Sequence, residues 1–160
     1  MYVKGNTVHQ RLELANNYAK DNSGCLKVHV GSVIVQNGSC VSLGANKSVP
    51  DLCKAKCCLR VEKYGDDSKN HRNPEDCRAI HSEVDAICNA ARNGISVVGS
   101  TIYVTRYPCE ACARAIVQAG IIRVIYGRSQ LISEETARIL ESGDVDVYNA
   151  SDWTEEDTER

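Results

Sequence analysis

Residues 100–127 read "STIYVTRYPCEACARAIVQAGIIRVIYG", and this stretch decides the fold. "STIYVT" is a run of β-branched and aromatic residues, the composition of a buried strand. Pro108 then opens a helical pattern, "PCEACARAIVQAG", and Gly120 closes it. "IIRVIYG" is a second buried strand. Two such strands joined by a helix form a crossover unit, which runs parallel and right-handed.

The rest of the chain extends this unit. Residues 7–21 carry Leu12, Leu14, Ala15, Tyr18 and Ala19 at helical spacing, with Thr7 placed to cap the start. "KVHVGSVIVQNG" (27–38) ends at Asn37-Gly38, a hairpin signal, and "SCVSLGAN" (39–46) is the returning strand. A helix is expected from Arg78 to Arg92, with Ala79, Ile80, Val84, Ile87, Cys88 and Ala91 as its apolar face and Asn93-Gly94 as its stop. "SEETARILESG" is a short helix starting at Ser133 and stopping at Gly143, and "DVDVYN" is a last strand. Helices alternating with strands imply a layered α/β fold, and the opening hairpin makes its sheet mixed. Residues 1–150 are expected to form a single domain. It contains a cysteine-rich insertion at about 50–77 that reads as irregular, and residues 151–160 form an acidic tail.

Composition excludes several classes. Lys and Arg total 19 against 21 Asp and Glu, a net charge of -2, so a main role in wrapping duplex nucleic acid is disfavoured. Aromatic residues make up 5% with no Phe, which speaks against a polynucleotide-stacking surface. No apolar run is long enough for a signal peptide or a membrane span, so a cytoplasmic, thiol-reducing location is expected. The nine cysteines then point to metal rather than disulfides. Cys25, Cys40 and Cys88 read as small buried hydrophobes.

Two short stretches carry the chemistry. Cys109 and Cys112 lie three residues apart in the first turn of one expected helix, and His81 lies at the start of another. Helix N-termini favour thiolates, the metal-binding form of cysteine. Three such ligands converging on zinc leave a fourth position open, the arrangement of a catalytic site. Glu83, two residues from His81, is near enough to exchange protons at that open position without being a ligand. Zinc makes a coordinated water far more acidic, so the set suits hydrolytic deamination. The competing reading is a structural zinc closed by a fourth cysteine, with Glu83 on the surface.

His-x-Glu with Pro-Cys-x-x-Cys is a known signature of zinc nucleobase deaminases. From about Arg11 to Val147 the sequence resembles the deoxycytidylate (dCMP) deaminase family. The resemblance rests on "VGSVIV" (30–35), "GAN" (44–46), "CRAIHSEVDAI" (77–87), "GSTIYVT" (99–105) and "PCEACARAIVQAGIIRVIYG" (108–127). It implies a three-layer α/β/α sandwich around a five-stranded mixed sheet. It also implies one catalytic zinc on His81, Cys109 and Cys112, Glu83 as proton shuttle, and Asn46 as a hydrogen-bond partner of the nucleotide sugar. Asn46 otherwise reads as a turn residue after Gly44. The implied reaction converts dCMP to dUMP and ammonia, supplying dUMP for dTTP synthesis. A homo-oligomer, often a hexamer, and control by the effectors dCTP and dTTP come with the resemblance. Two positions depart from the family pattern: Ser82 stands where alanine is usual, and Asp85 where asparagine is common.

Weaker features remain open. Cys53, Cys57, Cys58, His71 and Cys77 either hold a second, structural zinc or are unligated thiols. Lys47, Lys54, Lys56, Arg60, Arg78 and Arg106 are candidates for a nucleotide phosphate, and the sequence does not choose among them. The alternatives to dCMP deamination are a zinc deaminase acting on another cytosine nucleoside or nucleotide, and a non-catalytic, zinc-structured binding module.

Overall fold

The computed structural model describes residues 8–48, 58–65, 77–129 and 132–153. Thr7, Cys53, Lys54, Lys56, Cys57, His71 and residues 154–160 of the acidic tail lie outside them. The elements are α1 (Val8–Asn22), β1 (Gly31–Gln36), β2 (Ser39–Ala45), β3 (Lys47–Ser48), α2 (Leu59–Tyr64), β4 (Ala79–Ile80), α3 (Ser82–Arg92), β5 (Thr101–Arg106), α4 (Glu110–Gln118), β6 (Arg123–Arg128), α5 (Glu134–Ser142) and β7 (Asp146–Asn149).

Asn37 and Gly38 both take positive φ, 50° and 78°, as a two-residue hairpin turn requires, and they fold β2 back antiparallel on β1. β1 also pairs antiparallel with β5, while β5, β6 and β7 run parallel. The sheet is thus five-stranded and mixed, in the order β2-β1-β5-β6-β7.

Alternation along the strands builds two cores. Ile34, Ile102, Val104, Val124 and Tyr126 face one way, against Ala86 and Ala90 of α3, Ala113 and Ile116 of α4 and Leu140 of α5. Val33, Val35, Tyr103 and Ile125 face the other way, against Val8 and Ala15 of α1. One helix on one face and three on the other make the α/β/α sandwich.

Several expectations need correction. The segment expected as one helix from Arg78 is split. Ala79–Ile80 pairs with Lys47–Ser48 as a two-residue ladder, and the helix begins at Ser82. The buried face of α3 is Ser82, Glu83, Asp85, Ala86 and Ala90; Val84 and Ile87 are half-buried, and Cys88 and Ala91 are exposed. Small residues let α3 lie against the sheet, so its inward face is set by close approach rather than by the bulkiest apolar side chains. Cys40 is also exposed, on an edge strand just past the turn, so neither Cys40 nor Cys88 is the buried hydrophobe expected; Cys25 is half-buried. The insertion is not wholly irregular, since it holds α2. α5 stops at Gly143 as expected, and the left-handed residue that follows is Asp144 (φ 53°). A Cβ on Gly143 would press into the Val117 side chain of α4, so glycine there serves helix packing.

Gly44 fixes how close α3 comes. A Cβ at this position would overlap the Ser82 carbonyl oxygen and the Ala86 backbone, and would lie 2.9 Å from Ala86 Cα. Backbone cannot rotate away, so Gly44→Ala must push the start of α3 off the sheet. Overpacking of this kind costs about 1–3 kcal/mol, which for a chain of this size lowers Tm by roughly 2–12 °C. Thermal unfolding of the variant measures it, and an unchanged Tm would show that α3 has room to shift.

Candidate active site

Two helix N-termini converge beyond the carboxyl end of β5. That strand leads through Pro108 to Cys109, the N-cap of α4 (φ -83°, ψ 170°). The β3–β4 ladder leads to His81, the N-cap of α3 (φ -78°, ψ 156°). The two N-cap side chains meet, with Cys112 of α4 beside them: Cys109 Sγ and Cys112 Sγ each lie 3.4 Å from His81 Nδ1. The three ligand atoms all fall within 4.8 Å of one another.

These separations fit a metal. Zinc bonds of about 2.3 Å to sulfur and about 2.0 Å to nitrogen at tetrahedral angles place S and N ~3.5 Å apart. The charge state fits as well. The Cys109 thiol is pulled down to about 3, first by the hydrogen bond from Cys112 and then by that from His81. Cys112 is pushed up by the same bond to Cys109 and by burial. His81 is raised, chiefly by its bond to Cys109. Cys112 and His81 thus hold their protons beside the Cys109 thiolate, and a divalent cation would displace those protons. Among the described residues no fourth His, Cys, Asp or Glu joins the group. A structural site closed by a fourth cysteine therefore gains no support from them.

Glu83 is 4% exposed, on the inward face of the first turn of α3. Burial pushes its carboxyl up, opposed by its own backbone N–H, by His81 and by Ser82. Ser82 Oγ lies 3.0 Å from Glu83 Oε2 and 2.7 Å from Ser32 Oγ of β1. Glu83 is therefore no surface residue.

Asn46 bridges three segments. Its Oδ1 accepts from the Val30 N–H (2.8 Å) and from Ser23 Oγ (2.7 Å), and its Nδ2 donates to the Val28 carbonyl (2.8 Å). These bonds hold residues 28–30 in place of a sheet ladder, so β1 starts at Gly31, later than its apolar pattern implies. An amide nitrogen carries two hydrogens, so one Nδ2 donor is left to face a ligand. Asp85, the other departure from the family pattern, lies on the buried face of α3. Its Oδ2 takes the Ala45 N–H (3.0 Å) and Lys47 Nζ (3.0 Å), the two residues flanking Asn46. The extra charge is thus neutralised within the protein.

His81, Glu83, Cys109 and Asn46 line one cavity of about 620 Å³, a size that accommodates a small ligand. Of the sequence-stated cations, Arg60 and Arg106 reach its lining, while Lys47 is committed to Asp85. Arg78 borders a small cavity together with Cys25, Cys58 and Cys77, and those three cysteines line the main cavity as well. Sequence reasoning missed Lys27 and Tyr107 on the main cavity. It also missed Ser32, whose only signal was a polar residue on the inward register of an apolar strand. Among the described residues no helix is long and apolar enough to cross a membrane.

Comparisons with known proteins agree with this geometry. Residues 6–128 match the family model of the cytidine and deoxycytidylate deaminase zinc-binding region. ComE operon protein 2 of Bacillus subtilis is 30% identical over 127 residues, covering 78% of this chain and 61% of that protein. Deoxycytidylate deaminase of Saccharomyces cerevisiae is 33% identical over 140 residues, covering 86% of this chain and 43% of that protein. The chain thus spans less than two thirds of the length of either relative. The solved dCMP deaminase of the cyanophage S-TIM5, in complex with dCMP and dUMP, superposes with a TM-score of 0.70 at 26% identity, covering 88% of this chain and 94% of that one. With the family model spanning most of its length, and a His/Cys/Cys group that fits one zinc, this chain belongs to the cytidine and deoxycytidylate deaminase family.

Proposed function

We propose that this chain converts dCMP and water to dUMP and ammonia, within a domain spanning residues 1–150. The observation that carries the reading is the meeting of His81, Cys109 and Cys112 beside a buried carboxylate on one nucleotide-sized cavity. The similar cyanophage enzyme, solved with dCMP and dUMP, supports the choice of substrate. His81, Cys109 and Cys112 hold the zinc, which when bound makes a water nucleophilic at neutral pH. Glu83 takes the proton of the attacking water and delivers it to N3 of the cytosine. Attack falls on C4, and Glu83 then carries the remaining proton of the new C4 hydroxyl to the departing amine; the C4–N bond breaks as the carbonyl forms, so ammonia leaves and dUMP remains. The free Nδ2 hydrogen of Asn46 bonds the sugar. Lys27, Arg60 and Arg106 supply the positive wall for the monophosphate, and Tyr107 supplies an aromatic one.

A second, structural zinc is supported by one observation. Cys58 and Cys77 line the same small cavity as Cys25, and in the sequence they are close to Cys53, Cys57 and His71. A cytoplasmic homo-oligomer, hexameric and controlled by dCTP and dTTP, completes the reading by resemblance.

A substrate panel tests it. Turnover of dCMP, cytidine, dCTP and 5-substituted dCMP is followed by absorbance at equal zinc loading. With two charge-assisted hydrogen bonds to the phosphate, dCMP should exceed cytidine in kcat/KM by on the order of a hundredfold. Preference for cytidine or a 5-substituted nucleotide would reassign the substrate, and no turnover of any would favour the binding-module reading.

A further inference from the structure

We propose that Ser32 and Ser82 form a buried two-hydroxyl relay that positions Glu83, making both serines positioning residues of the deamination; this rests on the shuttle role proposed for Glu83. Both serines are fully buried or nearly so, at 0% exposure. Ser32 lies in β1 on the same face as Ile34, the face α3 covers. Ser82 is the first residue of α3, brought onto the sheet by the side-chain-free Gly44. The oxygens of the two serines are 2.7 Å apart, and Ser82 Oγ is 3.0 Å from Glu83 Oε2.

The polarity of the chain follows from chemistry. An ionised carboxylate only accepts, so Ser82 donates to Glu83. The one hydrogen of Ser82 is then spent, so its oxygen accepts from Ser32. Alanine at both positions would avoid burying two hydroxyls, and buried hydroxyls are costly unless bonded. A hydrogen bond to a charged group in a low-dielectric interior is among the stronger ones available. Tying one carboxylate oxygen to the sheet through Ser82 fixes the torsion of a side chain that otherwise has three rotatable bonds. A shuttle must meet both the attacking water and N3, and small misplacement of such a group is expensive in rate. The position where this chain departs from alanine is thus the one that contacts the proposed shuttle.

Ser32→Ala, Ser82→Ala and the double variant are compared in the native and Glu83→Gln backgrounds. Readouts are kcat, KM, zinc content, Tm and a crystal structure of Ser82→Ala. In the native background Ser82→Ala should lower kcat about 10- to 30-fold and Ser32→Ala about 3- to 10-fold, with KM and zinc held within about twofold. In the Glu83→Gln background the same changes should alter the residual rate less than about twofold, because they act through Glu83. The Glu83 carboxylate should occupy more than one orientation in the Ser82→Ala crystal. Full turnover in Ser82→Ala, a loss carried by KM, or an equal loss in the Glu83→Gln background overturns the relay. The last result would mean that the serines only pin α3 to β1. Near-native turnover in Glu83→Gln alone would instead overturn the proposed mechanism, so the two failures are separable.

Discussion

Glu83→Gln is expected to lower turnover at saturating dCMP by on the order of 10⁴-fold or more, while zinc content and dUMP affinity stay within about twofold of the native protein. Glutamine keeps the length, the amide plane and an oxygen able to accept from Ser82, so the buried site at 4% exposure is refilled without a cavity. Only the capacity to carry a proton is lost. A single general acid–base group contributes about 10²- to 10⁴-fold, and Glu83 is asked to act in more than one step, which places the loss at the upper end. Glu83 does not belong to the three-atom ligand group, so zinc should remain. Turnover must be compared at saturation with zinc measured on the same sample, since a KM effect would report binding instead. A loss below about tenfold with zinc retained would assign the shuttle to another residue. Loss of zinc would show Glu83 to be a support of the metal site and remove the argument for an open coordination position.

The sequence made the parts of this site legible where a physical signal is local. Gly120 and Asn37-Gly38 mark a helix end and a turn that depend on one or two residues, and each lies where its backbone preference placed it; Pro108, expected in the first turn of its helix, instead precedes the Cys109 N-cap. The β-branched and aromatic runs "STIYVT" and "IIRVIYG" gave the two parallel strands, and with them the loop that carries Cys109. Failure begins where the deciding contact is distant. Ala79 and Ile80 look helical beside the residues that follow them, yet they pair with Lys47 and Ser48 more than thirty positions away. That ladder is what brings His81 next to Asn46. The face of α3 was misjudged for the same reason. Reading bulk as burial pointed to Ile87 and Cys88, whereas the contact with Gly44 selects Ser82 and Ala86. Asp85 stands where asparagine is common, and only the fold supplies Lys47 and the Ala45 N–H as its partners. Ser82 and Ser32 are fifty residues apart and meet by the same route.

Cys112→Ser is expected to abolish the catalytic zinc and to take turnover down with it, by on the order of 10³-fold or more, while Cys77→Ser leaves turnover largely in place. Zinc prefers soft thiolate to a hard, neutral hydroxyl, and serine stays protonated at neutral pH. Cys112 is the harsher place to make the change. It is 1% exposed, so no solvent reaches in to replace the missing ligand. Cys109 is exposed at the cavity side, where water can take the vacated place. Cys109→Ser should therefore retain some zinc, bound weakly enough for a mild chelator to remove it. The order of zinc affinity, native above Cys109→Ser above Cys112→Ser, checks the geometry separately from activity. Metal binding contributes to folding when the ligands come from separate elements, and here they come from the starts of α3 and α4. Tm should fall with the zinc in both variants and should respond to added zinc only in Cys109→Ser and the native protein. Metal analysis of Cys77→Ser bears on the cavity it shares with Cys25 and Cys58. If a structural ion sits there, zinc per chain falls from two to one while the catalytic equivalent stays. If native and Cys77→Ser proteins both hold one zinc, the cysteines of that cavity are plain thiols. Full zinc content and turnover in Cys112→Ser would dismantle the ligand assignment altogether, because no other described residue stands ready to take its place.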